Sequence, residues 1–321
     1  MTAVVTAHDR RTFLPEAVAS ALASGADEVV VVRNFPGPIA GVEGRYRDVQ
    51  CPAAETGVKE ATGLESATGD IVAFLDDDDT WDLAKVPRVR QVFGEDPALV
   101  YYGHAQTPMD RSGKPVAARH REWARTDPRR FAAWDGRDLP AFFREVWPGN
   151  NSSTVILRSW GREWSDALKE AGWAADRFWV SAALIDRRPM RLEDSALTHL
   201  RLHQENMSQT RGASPEEFRI RHATASDRFA RSCRTLARIA DERRGPSSPE
   251  ARYFRQSAVG YGFFADLETG HRPRSAALRA LRHGPGRGDG ALLATALIAV
   301  VSPALARRLL YRSSRRRWRL A

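Results

Sequence analysis

Four consecutive aspartates, Asp76 to Asp79, stand in FLDDDDTW, residues 74–81. Clustered carboxylates repel one another, and keeping them ionised together is costly unless a cation neutralises them. A hard divalent ion with oxygen ligands does so, and Mg²⁺ characteristically takes one or two carboxylates together with substrate phosphates. The competing reading of these four residues alone is a solvated acidic turn or a helix N-terminus, where the dipole favours acids.

The cluster follows IVAFL (71–75), which reads as a buried strand. The elements around it alternate. TAVVTA (2–7) reads as a first strand, and residues 12–24 have helical spacing, with Thr12 as N-cap and Gly25 as C-cap. EVVVVR (28–33) is a continuous β-branched run, typical of a strand covered on both faces. A short strand near Tyr46–Val49, helices over 57–67 and 82–94 and a strand at 98–103 continue the pattern. This alternation predicts an α/β fold with a mostly parallel sheet flanked by helices. Ligands of such sheets bind beyond the carboxyl ends of the strands, so the loops after Ala7, Arg33 and Leu75 share one face. Residues 104–150, rich in Trp, Arg and Pro, predict a lid or acceptor-side insertion. A strand is expected at 153–158, helical segments over 162–186 and a closing strand at 195–203. From Pro215 the pattern is helical, 215–243 and 250–269, with a PSSP break at 246–249.

Three blocks, in order, resemble glycosyltransferase family 2. VVTAHDRRTFLPEAVASAL resembles that family's first strand, loop and helix. TGVKEATGLESATGDIVAFLDDDDTWDLAKV resembles its central block, in which a glycine-led helix runs into a DXD motif. GWAADRFWVSAALIDRR, followed by LTHLRLHQENMS, resembles the block with the catalytic carboxylate and a terminal histidine. The resemblance covers roughly residues 2–210. It implies a GT-A, Rossmann-like domain over 1–210, followed by a helical extension over 211–289 and a tail over 290–321. The implied activity is inverting transfer of a sugar from a nucleotide-diphosphate donor bound with Mn²⁺ or Mg²⁺ to an acceptor hydroxyl.

Residue by residue, the resemblance implies that Asp76 and Asp78 bind the ribose or diphosphate and the metal, with Asp77 and Asp79 in support. It implies Asp176 as general base and His203 as a member of the metal or diphosphate shell. Thr6, Ala7 and His8 would line the nucleotide loop, and Gly149 and Asn150 a loop near the donor sugar or acceptor. Two departures from the family pattern stand out. The acidic pair expected after the second strand is Arg33-Asn34, which leaves Asn34 to hydrogen-bond the base. The acidic pair at the catalytic carboxylate is Ala175-Asp176. Simpler roles compete: Asp176 as the cap of a helix beginning near Arg177, His203 as a structural histidine, and Trp81, Trp173 and Trp179 as packing.

The formal net charge of +9 on 321 residues invites a nucleic-acid partner, but its distribution argues against one. From Arg272 onward there are twelve arginines against Asp289 alone, a net of +11, which leaves about −2 for residues 1–271. Residues 290–306, GALLATALIAVVSPALA, carry no charge and precede RRLLYRSSRRRWRL. Seventeen residues including Pro303 are short for a bilayer span. An interfacial or re-entrant helix on an anionic membrane surface fits better, with a helix packed on the protein's own surface as the rival. The two cysteines, Cys51 and Cys233, match no metal-ligand spacing, and no secretory signal precedes the first strand. The expected setting is therefore cytoplasmic, at the inner face of the membrane, on a glycan or lipid-linked acceptor of cell-envelope glycan, glycolipid or polysaccharide synthesis. Two alternatives stay open: sugar transfer to a polyprenyl phosphate, and a non-catalytic sugar-nucleotide-binding protein on the same fold.

Overall fold

The computed structural model of the chain describes residues 1–116, 129–131, 139, 142–143, 150–203, 214–284 and 290–320. It divides into two compact units, Met1–Arg137 with Phe142–Leu202, and Asp138–Ala141 with His203–Ala321.

In the first unit the described strands are β1 (Thr2–Ala7), β2 (Glu28–Arg33), β3 (Arg47–Gln50), β4 (Ile71–Asp76), β5 (Thr80–Trp81), β6 (Tyr101–Met109), β7 (Arg129–Phe131), β8 (Thr154–Leu157) and β9 (Met190–Arg201). They form one sheet in the order β3-β2-β1-β4-β8-β6-β9-β5, with β7 on β9. The sheet is parallel from β3 to β4. Beyond that it is mixed, because β8 runs antiparallel to both β4 and β6 while β6 and β9 are parallel. The central strands are apolar runs because helices cover both faces: every residue of β1 is buried, as are all but Glu28 of β2.

Helix α1 (Leu14–Ala23) starts with Pro15 in its first turn, where a missing N–H costs nothing. It buries Leu14, Ala17, Val18 and Ala21, one face at helical spacing. Helix α2 (Thr56–Ser66) lies against β1 and β2. α3 (Lys85–Glu95), α4 (Arg158–Arg162), α5 (Ser165–Ala171) and α6 (Ala175–Asp186) complete the unit. The helical stretch expected at 162–186 is interrupted at Gly172, where φ is +72° and the carbonyl accepts the Gly57 N–H at 2.8 Å. The closing strand begins at Met190, earlier than its mixed polar pattern suggested.

Gly63 is where α2 approaches the sheet. A Cβ there would overlap Val4 Cγ1 and lie 3.1 Å from Val32 Cγ2. Glycine to alanine in an open helix gains up to about 1 kcal/mol, whereas overpacking costs about 1–3 kcal/mol. Both valines are fully buried strand residues with nowhere to move. Gly63→Ala should therefore destabilise the protein, read as a lower denaturation midpoint; an unchanged or raised midpoint would mean that α2 sits farther from the sheet.

The second unit is helical: α7 (Pro215–Arg244), α8 (Pro249–Thr269), α9 (Pro273–His283), α10 (Gly290–Val301) and α11 (Pro303–Leu320). Ser214 and Glu217 cap α7 reciprocally, Glu217 N–H to Ser214 Oγ at 3.2 Å and Ser214 N–H to Glu217 Oε2 at 2.8 Å. The PSSP break becomes the turn into α8, with Ser248 Oγ accepting the Ala251 N–H. The apolar segment 290–306 is not one helix, since it is interrupted at Ser302. Leu292, Ala296, Ala299 and Ala306 pack with Phe263, Leu267, Ala276, Ala277 and Ala280. Leu297, Val301, Leu305 and Leu309 are instead exposed, at intervals of four. Among the described residues no helix is long and apolar enough to cross a membrane.

Candidate active site

The aspartate cluster spans the turn from β4 to β5. Asp76 is the last residue of β4, in register with Thr6 of β1. The Asp79 N–H reaches the Asp76 carbonyl at 3.3 Å, and β5 then pairs with β9 through Thr80 with His199 and Trp81 with Thr198. A strand on either side thus fixes a turn that would otherwise fly apart through charge repulsion.

Asp79 is the anchored member. Its buried carboxylate accepts from Ser152 Oγ at 2.6 Å, Asn150 Nδ2 at 2.8 Å and the Arg201 N–H at 2.8 Å. Ser152 also accepts the Asp76 N–H at 3.0 Å, and its carbonyl takes Lys85 Nζ at 2.6 Å and Thr198 Oγ1 at 2.8 Å. Asn151 Nδ2 contacts Asp76 Oδ1 at 3.3 Å. Arg201 Nε holds the Asp78 carbonyl at 2.8 Å and Nη2 meets Glu16 at 2.6 Å. Asn150 therefore supports the cluster directly; Gly149 lies outside the described residues.

Asp76, Asp78 and Asp79 each present a carboxylate oxygen within 4.8 Å of the others, the group among the described residues suited to a metal. Withdrawal from water and then the Asp78 charge push the Asp76 carboxyl up to about 7. Burial pushes Asp77 up to about 8, against the pull of Arg10, and burial with the Asp78 and Asp76 charges raises Asp79 well above the carboxylate range. Acids so disfavoured as anions, presenting only oxygen, suit a hard divalent cation, which would reverse those shifts.

Two further carboxyls belong to the same electrostatic neighbourhood. Asp176 sits in the first turn of α6, after Ala174 at φ +56°, and is half-buried. Its Oδ1 accepts the Arg177 N–H at 2.7 Å, but Asp176 is not the helix cap: α6 begins at Ala175, and Ala174 at the N-cap position offers no side-chain bond. Burial raises its pKa, and its charge acts on both Asp76 and Glu60. Glu60, on α2, is fully buried; Oε2 accepts from Trp179 Nε1 at 2.8 Å and Oε1 has no hydrogen-bond partner. Burial, with the Asp76 and Asp176 charges adding, favours its neutral acid.

Beyond β1, Thr6 and Ala7 are buried strand residues. His8 follows, with Nδ1 3.2 Å from the buried Lys59 Nζ and Nε2 3.3 Å from Asp9. Asn34 pairs reciprocally with Asp9, Nδ2 to Oδ1 at 2.7 Å and Asp9 N–H to Asn34 Oδ1 at 3.0 Å. Asp9 accordingly stands at φ +59°. Arg33 turns to Asp48 of β3, at 2.9 and 2.7 Å. The loop after β1 thus brings the Asp9 carboxylate beside Asn34, the residue that follows β2. His203 falls in the second unit.

Residues 59–151 match the model of glycosyl transferase family 2. The chain carries a family 2 glycosyltransferase domain. Its fold is GT-A, and it is a transferase enzyme. Among solved structures, the transferase is similar to S. aureus TarS 1–349 in complex with UDP-GlcNAc, at 15% identity and TM-score 0.56, covering 98% of this chain and 91% of that one. The same TarS fragment without that ligand matches at 14% identity and TM-score 0.51, over the same shares. No curated protein sequence matches the chain significantly. The matched stretch of the transferase runs from Lys59 through the aspartates to Asn151, and so contains the cluster and Asn150 but not Ser152 or Arg201.

Sequence reasoning passed over Arg10, Glu60, Ser152 and Arg201. Signals existed for some of them: HDRR places a basic pair at the ligand edge, and Glu60 is an acid on the buried face of α2.

Proposed function

We propose that the domain catalyses metal-dependent, inverting transfer of a sugar from a nucleotide-diphosphate sugar to an acceptor hydroxyl. The observation that carries this reading is the set of three carboxylates, Asp76, Asp78 and Asp79, sharing one 4.8 Å space at the sheet's ligand edge. These residues would hold Mn²⁺ or Mg²⁺. When bound, the cation stabilises the charge that grows on the departing diphosphate. Asp176 takes the acceptor proton, and burial raises its pKa, the direction that makes it a stronger base. Glu60, held neutral beside it, adds no competing negative charge. Thr6, Ala7, His8 and Asn34 line the nucleotide side, with the Asp9–Asn34 pair facing the base, and Gly149 and Asn150 flank the sugar. A nucleotide-sugar donor agrees with the UDP-GlcNAc held by TarS. A thermal-shift panel of nucleotide sugars tests the reading: at least one should stabilise the protein with Mn²⁺ and lose its effect with a chelator, and no response to any of them would contradict it.

We further propose that α10 and α11 rest on an anionic membrane surface, which suits a glycan or lipid-linked acceptor at the inner face of the membrane. Leu297, Val301, Leu305 and Leu309 would enter the interface, with Arg307, Arg308 and Arg312 beside them. Fully burying such a side chain contributes about 1.5–3 kcal/mol. Leu297→Ser with Val301→Ser should therefore weaken binding to anionic vesicles by about tenfold or more. Donor hydrolysis should persist, since neither residue belongs to the packed face. Equal co-sedimentation of variant and wild type would assign the stripe to some other contact.

A further inference from the structure

Arg10 lies in the loop between β1 and α1, and its guanidinium sits on the aspartate turn. Nη2 donates to Asp77 Oδ1 at 2.5 Å and Nη1 to Asp78 Oδ2 at 2.7 Å. The two carboxylates differ. Asp78 belongs to the group suited to the metal, whereas Asp77 does not. Asp77 is nearly fully buried, and its second oxygen, Oδ2, has no hydrogen-bond partner. Arg10 itself is about one-third exposed, with side-chain exposure of 33%, in contrast to the buried Asp77 and Asp78. Its backbone is held from the preceding residue, where Asn34 pins Asp9 at φ +59°.

A guanidinium on Asp78 and a divalent ion on the same carboxylate are two cations within a few ångströms, and they repel. A nucleoside diphosphate supplies the negative charge that lets both stay, because the planar guanidinium fork matches phosphate oxygens. We propose that Arg10 is a built-in placeholder cation: it covers Asp78 in the empty enzyme and, pivoting on Asp77, passes to a phosphate oxygen of the donor when metal and nucleotide bind. Asp77 then has a role of its own as the fixed end of the pivot. Arg10 is a positioning and binding residue that penalises metal without nucleotide and favours the two together. The inference rests on the metal–diphosphate reading of the site and adds the order of events to it.

The test separates the two. Mn²⁺ binding is followed by electron paramagnetic resonance on wild type, Arg10→Gln and Arg10→Lys, without nucleotide. UDP and GDP are then titrated at saturating Mn²⁺. Arg10→Gln should bind Mn²⁺ alone about fivefold or more tightly than wild type, and should bind the preferred diphosphate about tenfold or more weakly, the usual scale for a lost charge-assisted contact. Arg10→Lys keeps the charge without the fork, so both shifts should be smaller and of the same sign. It also serves if the glutamine variant melts. Opposite signs for metal and diphosphate are the signature, since a merely structural residue would weaken both. Equal Mn²⁺ affinity in wild type and Arg10→Gln, or unchanged diphosphate affinity, overturns the role of Arg10 and leaves the metal site standing. No Mn²⁺ binding by either protein overturns the metal reading and this inference with it.

Discussion

If Asp176 is the general base as proposed, Asp176→Asn should lower turnover with a neutral hydroxyl acceptor by about 10²-fold or more, the range expected when a general base is removed. Nucleoside diphosphate affinity stays close to wild type, because the change removes a proton acceptor used in the transition state rather than a ground-state contact. Asparagine keeps the Oδ1 that accepts the Arg177 N–H at 2.7 Å, so the first turn of α6 survives. The substitution removes a negative charge that disfavours ionisation of Asp76 and Glu60, which offsets the lost attraction to Arg177. Near-normal turnover with a hydroxyl acceptor would move the base elsewhere. It would favour an acceptor that is already anionic, such as a polyprenyl phosphate.

Asp78→Asn should abolish the Mn²⁺-dependent part of nucleoside diphosphate binding without unfolding the protein. Of the three clustered carboxylates it is the informative one. Asp79 accepts three hydrogen bonds from Ser152, Asn150 and Arg201, so replacing it leaves buried donors unsatisfied at about 1–3 kcal/mol each and confounds function with stability. Asp78 is held through its backbone carbonyl by Arg201, while its carboxylate meets Arg10 at 2.7 Å. Its charge raises both Asp76 and Asp79, so removing it relieves repulsion in the metal-free protein. Circular dichroism and thermal melting should match wild type. Isothermal titration should show the loss, and metal-dependent affinity unchanged in the variant would remove Asp78 from the metal site.

What the sequence made legible follows from what is local. β1, β2 and β4 are read correctly because a strand covered on both faces must be an unbroken apolar run. The aspartate cluster is legible because four acids at a strand end have few benign explanations. β9 is harder: its burial alternation breaks at Asp194–Ala196, near where its pairing with β6 shifts register, so only its later half looked like a strand. The support of the cluster is non-local. Arg10 meets Asp78 across 68 residues, Ser152 meets Asp79 across 73 and Arg201 meets Asp79 across 122, and no spacing rule couples such positions. The same holds for Asn34: the departure at Arg33-Asn34 was visible, but its pairing with Asp9 across 25 residues needed the two loops side by side. The segment 290–306 was legible as uncharged, not as two helices with Leu292, Ala296, Ala299 and Ala306 inward and Leu297, Val301 and Leu305 outward.

Calorimetric titration of UDP and of GDP into chelator-treated protein, repeated after addition of Mn²⁺, tests the metal-dependent donor site most directly. Binding of at least one diphosphate should appear with Mn²⁺ and vanish with excess chelator. Equal affinity with and without the metal, or no binding of either diphosphate in its presence, would contradict the assignment of Asp76, Asp78 and Asp79 as the carboxylates that hold cation and donor together.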